Sequence, residues 1–170
     1  MTDITLKPAQ SEHLAAFRAI ELASFETLRS TGAVTGDPVA TSLEDLSRLS
    51  EEGILFAAFA AEDIPVGFAG AYITESWLHI VEANVHPNWQ RQGIGRRLIN
   101  ALLAEGSTLG LIGASLTTDR YAPFNAPFYA SLGFEILQED ALSPRLKALL
   151  AAETISGLAP MRRVAMQRVY

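Results

Sequence analysis

A chain of 170 residues with a net charge of −6 is expected to form one domain, and its acidity argues against a nucleic-acid partner, which needs a basic surface to neutralise phosphates. It is 49% hydrophobic and 19% charged, ordinary for a globular protein with a sizeable core. It contains no cysteine, which excludes disulfides, thiolate metal sites and a cysteine nucleophile, and its three histidines are far apart, so no metal site is expected. The opening MTDITLKPAQSEH lacks the apolar run of a secretory signal, and no segment approaches the roughly 20 apolar residues of a membrane helix. A cytoplasmic location without a membrane partner is the expectation.

Ile4 and Leu6 alternate with polar neighbours and predict a strand over 3–8. Ser11 opens a helical segment in which Leu14, Phe17, Ile20, Phe25 and Leu28 recur every three to five residues, with Thr31-Gly32 at its end. Ser42 and Asp45 fit a capping box ahead of Leu43, Leu46 and Leu49, and Gly53 suits the position just past that helix. Strands over 54–61 and 66–73, joined by Glu62-Asp63-Ile64-Pro65, are expected to pair antiparallel. A third strand over 77–85 is stopped by His86-Pro87-Asn88.

A helix follows over 93–109, with Ile94, Leu98, Ala101 and Leu102 on one face. Then come a strand over 111–117, a short helix over 125–132 closed by Gly133, and an extended piece over 134–137. Ser143-Pro144 is a cap and first-turn pair for a helix to about 155, and Met161 and Met166 fall on a last strand over 161–170. The order β-α-α-β-β-β-α-β-α-β-α-β predicts an α/β fold: a mixed sheet with antiparallel strands first, one central β-α-β crossover and helices on its faces.

The segment VHPNWQRQGIGRRLINALL carries the chemistry. A strand ends, a short loop follows, and a helix starts at two glycines. A helix N-terminus leaves backbone N–H groups unpaired and carries partial positive charge, and Gly93 and Gly95 let a phosphate approach the backbone closely. Arg91, Arg96 and Arg97 add positive charge. The competing reading is that the glycines only allow tight packing of helix on sheet. A dinucleotide fingerprint needs glycine where Leu98 stands, and no Walker loop exists in the chain.

The string that does fit is Q-x-x-G-x-G, Gln90-Arg91-Gln92-Gly93-Ile94-Gly95, after a strand and before an amphipathic helix. Together with N-A-P-F-Y-A-S-L-G-F, which begins at Asn125, it resembles the GNAT N-acetyltransferase family, and the predicted element order matches that fold over 3–170. The resemblance implies acetyl-CoA as cosubstrate, held by backbone N–H groups from Gln90 to Arg96, with the pantetheine arm along Val85. It implies that the strands over 77–85 and 111–117 splay apart to admit the thioester.

By the same resemblance Tyr129 is the acid facing the leaving thiolate. Many relatives carry an asparagine seven residues before that tyrosine; here the slot holds Ala122, and Asn125 is a helix cap, a contact to the CoA arm, or both. The general base is His79, Glu82 or ordered water. Direct strand alternation puts His79 on the face of Val81 and Val85 and Glu82 on the other, unless a bulge changes the parity. Asp119-Arg120-Tyr121 is expected in a loop above the site, and Trp77 and Trp89 read as packing residues. The activity implied is acetyl transfer to a primary amine of a small molecule or peptide by direct attack. The alternative is a non-catalytic acyl-CoA-binding module. A homodimer is compatible with the resemblance, and the acceptor is open.

Overall fold

The computed structural model describes residues 3–170; Met1 and Thr2, part of the stretch read for a signal, lie outside the described residues. Strand β1 (Thr5–Pro8) leads through a 3-10 turn at Ser11–His13 into α1 (Leu14–Ser30), followed by α2 (Leu43–Glu52), β2 (Ile54–Phe59), β3 (Pro65–Thr74) and β4 (Trp77–Val85). Then come α3 (Ile94–Thr108), β5 (Gly113–Asp119), α4 (Ala126–Ala130), β6 (Glu135–Ile136), α5 (Pro144–Ile155) and β7 (Arg163–Val169). The element order is the one expected. The strands form one sheet in the order β1-β2-β3-β4-β5-β7-β6, in which only β4 and β5 run parallel, joined by the α3 crossover. No helix among the described residues is long and apolar enough to cross a membrane.

Two apolar layers hold helices to the sheet. On one face Leu14, Phe17 and Ile20 of α1 and Leu46 and Leu49 of α2 pack on Leu55, Ala57, Phe59 and Phe68, with Phe17 and Phe68 stacked at 4.6 Å. On the other, Leu98, Ile99 and Leu102 of α3 and Tyr129 of α4 pack on Ala69, Ala71, Leu78, Ile80 and Leu116. Each fully buried leucine contributes about 2 kcal/mol through the apolar surface it withdraws from water. The α1 stripe departs from expectation at its C-terminal end. The fourth buried position is Ser24, while Phe25 and Leu28 are only half-buried. A polar residue is tolerated there because that end of α1 faces a gap in the sheet rather than the core.

Local signals were read correctly at most helix starts. The Ser42 hydroxyl accepts from Asp45 N at 3.1 Å and the Ser143 hydroxyl from Leu146 N at 3.2 Å. Gly53 ends α2 for another reason than the one expected. Its backbone is extended (φ −115°), and a Cβ there would lie 2.5 Å from Ala71 O, so close strand approach demands glycine. Strand β5 starts two residues late, because Leu111 N closes the end of α3 on Gly106 O and Ile112 N bonds Ser76 O. Met161 is 83% exposed in the turn before β7 and does not fill the core, whereas Met166 does.

Candidate active site

Strands β4 and β5 pair only through Trp77, Leu78 and His79 with Gly113, Ala114 and Ser115; beyond Ser115 they splay apart, as expected. In the opening lies a cleft of about 650 Å³ that reaches from Ser24 of α1, past Asn84 and Val85 of β4, to Gly95 of α3 and Tyr129 of α4. Its wall on β4 is shaped by a bulge. Gly70 pairs with Glu82 and Ala71 with Ile80, so Val81 is the extra residue, 43% exposed. The bulge resets the alternation: His79, Glu82 and Asn84, opposite Tyr72, Gly70 and Phe68, share the α1 face, while Ala83 and Val85 look to the α3 face. The simple parity, which separated His79 from Glu82, does not hold.

His86 N donates to Val66 O at 2.9 Å. Because alternate residues of a strand turn to alternate neighbours, the backbone groups of Ala83 and Val85 point into the gap. The Gln90 side chain donates to Val85 O at 2.9 Å and so ties the end of β4 to the turn that follows. That turn uses left-handed backbone at Arg91 (φ 62°) and Gly93 (φ 78°), the latter as N-cap of α3. The first intrahelical bond is Arg97 N to Gly93 O at 3.0 Å, so the N–H groups of Ile94, Gly95 and Arg96 have no acceptor within the helix.

A Cβ on Gly93 would meet nothing within 4 Å, and one on Gly95 would sit at ordinary contact distance, 3.7 Å, from Phe128 Cζ. Packing therefore does not require glycine at 95, whereas an anion seated on these amides does. Arg91, Arg96 and both glycines line the cleft; Arg97 does not, and its guanidinium donates to Ile4 O at 2.8 Å.

Glu82 is held from both sides. Thr41 Oγ1 lies 2.6 Å from Glu82 Oε1, and Asn84 Nδ2 donates to Oε2 at 2.8 Å. Burial, reinforced by the nearby Glu21 carboxylate, pushes the Glu82 carboxyl up to about 7 against those two hydrogen bonds. Glu82 reaches the cleft through Asn84, whose Oδ1 is 3.3 Å from Ser24 Oγ; both Asn84 and Ser24 line it.

His79 is not brought to the cleft. It is buried in the paired part of β4, with Nδ1 2.9 Å from Ser115 Oγ and 3.2 Å from Arg145 Nη1 of α5. A guanidinium only donates, so Nδ1 is the acceptor and the ring proton sits on Nε2. Burial first, then the charge of Arg145, push this histidine down to about 4, with Glu153 opposing. It fastens α5 to the sheet.

Tyr129 lines the cleft and is 9% exposed; among the described residues none hydrogen-bonds its hydroxyl. Burial and then the charge of Glu82 push that hydroxyl up to about 12, against Arg163. Asn125 takes the N-cap position of α4, and its carbonyl accepts from Tyr129 N at 3.0 Å. Its side chain does not cap the helix; Nδ2 donates to Thr118 Oγ1 at 2.9 Å, and the residue lines the cleft. Trp89 packs on the core, as expected, and borders the cleft.

Asp119 is not a loop residue above the site. It ends β5 fully buried, accepts from Tyr121 N and Ala122 N at 2.8 Å, and is forked by Arg162 at 2.7 and 3.0 Å. Burial works to raise its carboxyl, and these bonds and the Arg162 charge hold it below the usual range. Sequence reading missed Thr41, Glu21, Arg145 and Arg162. The one local signal was Ser24, a polar residue four places after Ile20 on an otherwise apolar stripe.

The site thus combines a single parallel crossover, strands that part halfway along, and a helix start whose first N–H groups have no acceptor within the helix. The chain belongs to the acetyltransferase (GNAT) family, whose model matches residues 15–134. Its fold is similar to that of the PaiA N-acetyltransferase of Thermoplasma acidophilum in complex with coenzyme A, with 15% identity, 99% of each chain covered and a TM-score of 0.72. It is similar to the ribosomal-protein-S18-alanine N-acetyltransferase of Escherichia coli, with 18% identity, 98% and 94% covered and a TM-score of 0.69. It also aligns with 35% of the N-acetylglutamate synthase of Neisseria gonorrhoeae, complexed with coenzyme A and N-acetyl-glutamate, over 99% of the present chain at 16% identity and a TM-score of 0.72.

Proposed function

We propose that the protein transfers an acetyl group from acetyl-CoA to a primary amine by direct attack in a ternary complex. The observation that carries this reading is the open amide row of Ile94, Gly95 and Arg96 in the same cleft as Tyr129 and Asn84, with Glu82 hydrogen-bonded to Asn84 behind it. The pyrophosphate sits on that row beside Arg91 and Arg96, with Gln90, Gln92 and Gly93 shaping the turn. The pantetheine arm runs along Val85, whose backbone turns into the gap, and passes Asn125.

Glu82, at about 7, takes the proton of the incoming ammonium. The freed nitrogen attacks the thioester carbonyl carbon, the C–S bond breaks, and the nitrogen gives up a second proton to the departing thiolate, leaving a neutral amide and the free CoA thiol. Tyr129 holds its proton at neutral pH, because its hydroxyl lies near 12. A thiol ordinarily titrates near 8.5, well below that, so Tyr129 stabilises the departing sulfur by donating a hydrogen bond rather than surrendering its proton. For Tyr129→Phe, turnover is expected to drop about 10- to 100-fold with CoA affinity nearly unchanged; equal turnover would remove this role.

The function is tested by adding acetyl-CoA and a panel of amines. A raised melting temperature with CoA and thiol release with at least one amine are expected. Stabilisation without thiol release on any amine would instead favour the acyl-CoA-binding module.

A further inference from the structure

Glu21 of α1 and Glu82 of β4 meet at one hydroxyl. Thr41 Oγ1 is 2.6 Å from Glu82 Oε1 and 3.1 Å from Glu21 Oε1. The remaining oxygen of each carboxyl is occupied, Glu82 Oε2 by Asn84 Nδ2 and Glu21 Oε2 by Thr41 N, both at 2.8 Å. A hydroxyl has one proton and can donate to one carboxylate only. With both carboxyls ionised, one of the two contacts at Oγ1 is an oxygen facing an oxygen without a hydrogen. With one proton added, both contacts are satisfied: one carboxyl donates to Oγ1, and Thr41 donates to the other.

We propose that the proton acceptor of this site is the pair, with Glu21 as the positioning residue: the proton that Glu82 takes from the acceptor amine is shared with Glu21 across the Thr41 hydroxyl. The proposal rests on the acetyl-transfer reading of the cleft. The step moves protons only. An N–H bond of the ammonium breaks and an O–H bond forms on Glu82; that proton passes to Thr41 Oγ1 as the Thr41 proton passes to Glu21 Oε1. The charge of the pair rises from two negative to one negative, and the amine keeps its electron pair for the thioester.

Burial raises the Glu21 carboxyl as well, against the Thr41 backbone and hydroxyl bonds and the charge of Arg18. The groups around the pair are few. Arg18 on α1 donates from Nε to Thr41 O at 2.9 Å, and Tyr129 on α4 feels the Glu82 charge. On β7 Arg163 is paired with Glu153 of α5 at 3.0 Å, and on β4 His79 is engaged by Arg145. Asn84 and Ser24 are neutral.

The test is a carbon-13 NMR titration of the carboxyl carbons in the full chain, for the wild type, Glu21→Gln and Thr41→Val. In the wild type the Glu21 and Glu82 signals are expected to move together in one step near neutral pH. In Glu21→Gln, which keeps an acceptor for Thr41 N, the Glu82 step should fall by about one pH unit. In Thr41→Val the two signals should no longer move together; Thr41→Ser, which retains the hydroxyl, should restore the joint step.

With an amine found by the panel, the acid limb of kcat/KM in Glu21→Gln should shift down by the same amount while the CoA melting shift is retained, a change that a merely structural tie would not produce. Independent titration of Glu21 in the ordinary carboxylate range, with Glu82 unmoved in Glu21→Gln, would overturn the proposal even where thiol release succeeds. A joint step without CoA stabilisation or thiol release would leave the proton pair standing and remove the acetyl-transfer reading.

Discussion

Replacing Gly95 by aspartate is expected to weaken coenzyme A binding at least about 100-fold, roughly 3 kcal/mol, while leaving the unliganded protein as stable as before or slightly more so. The two effects separate because of where Gly95 sits. It is in the first turn of α3, with its N–H unclaimed within the helix, and a Cβ there comes no closer than 3.7 Å to Phe128 Cζ and 3.8 Å to Val85 Cγ2. Replacing glycine by aspartate in a helix gains only about a few tenths of a kcal/mol of propensity, and a carboxylate in the first turn adds a few tenths to about 1 kcal/mol by its attraction to the helix dipole. For a bound phosphate the same carboxylate is a like charge at close range, worth about 4 kcal/mol at 4 Å and an effective dielectric near 20. Gly93 is a poorer choice, since its φ of 78° strains any other residue and would confuse folding with binding. Calorimetry and melting with and without CoA measure both effects. Undiminished affinity would show that the pyrophosphate does not lie on this helix start.

Glu82→Gln should lower kcat/KM about 100- to 1000-fold near pH 7.5 and at the same time stabilise the protein at alkaline pH. The glutamine keeps the volume and the Thr41 and Asn84 contacts but takes up no proton. The sign on stability follows from the direction of the shift. Folding raises this carboxyl from 4.5 to about 7, so its contribution is fully present below about 4.5 and is lost as the pH rises through about 7. Above that, the ionised group sits where folding disfavours it, by at most about 3 kcal/mol and by less in so far as solvent reaches it. Denaturation at pH 8 should therefore favour Glu82→Gln over the wild type, and at pH 4 the difference should vanish. Wild-type kcat/KM should rise through about 7 as Glu82 ionises. Unchanged turnover together with equal stability at both pH values would remove Glu82 as the base. That an uncharged residue of the same volume is expected to stabilise this position at alkaline pH fits a group kept for its chemistry.

The helix start at Gly93, the caps at Ser42 and Ser143, the strand over Trp77–Val85 and the order of elements were legible because each depends on residues within a few positions of one another. The same holds for Tyr129 and Asn125 in the cleft, which the second motif placed together. Of the alternatives left open for Asn125, the side-chain cap is not the one formed, since its partner is Thr118, seven residues back on β5.

By itself, then, the amino-acid order determined the fold class, the open amides of the cradle and the family. Where each carboxylate and imidazole lies relative to the cleft was decided by tertiary structure. One bulged residue, Val81, set by pairing with β3, put His79 and Glu82 on the same face. Arg145 from α5 then engaged His79, and Thr41, far back in the chain, joined Glu82 to Glu21. Side-chain identity fixes what a group can donate or accept; burial and neighbours brought in from distant segments fix whether it is charged, and that no local pattern encodes.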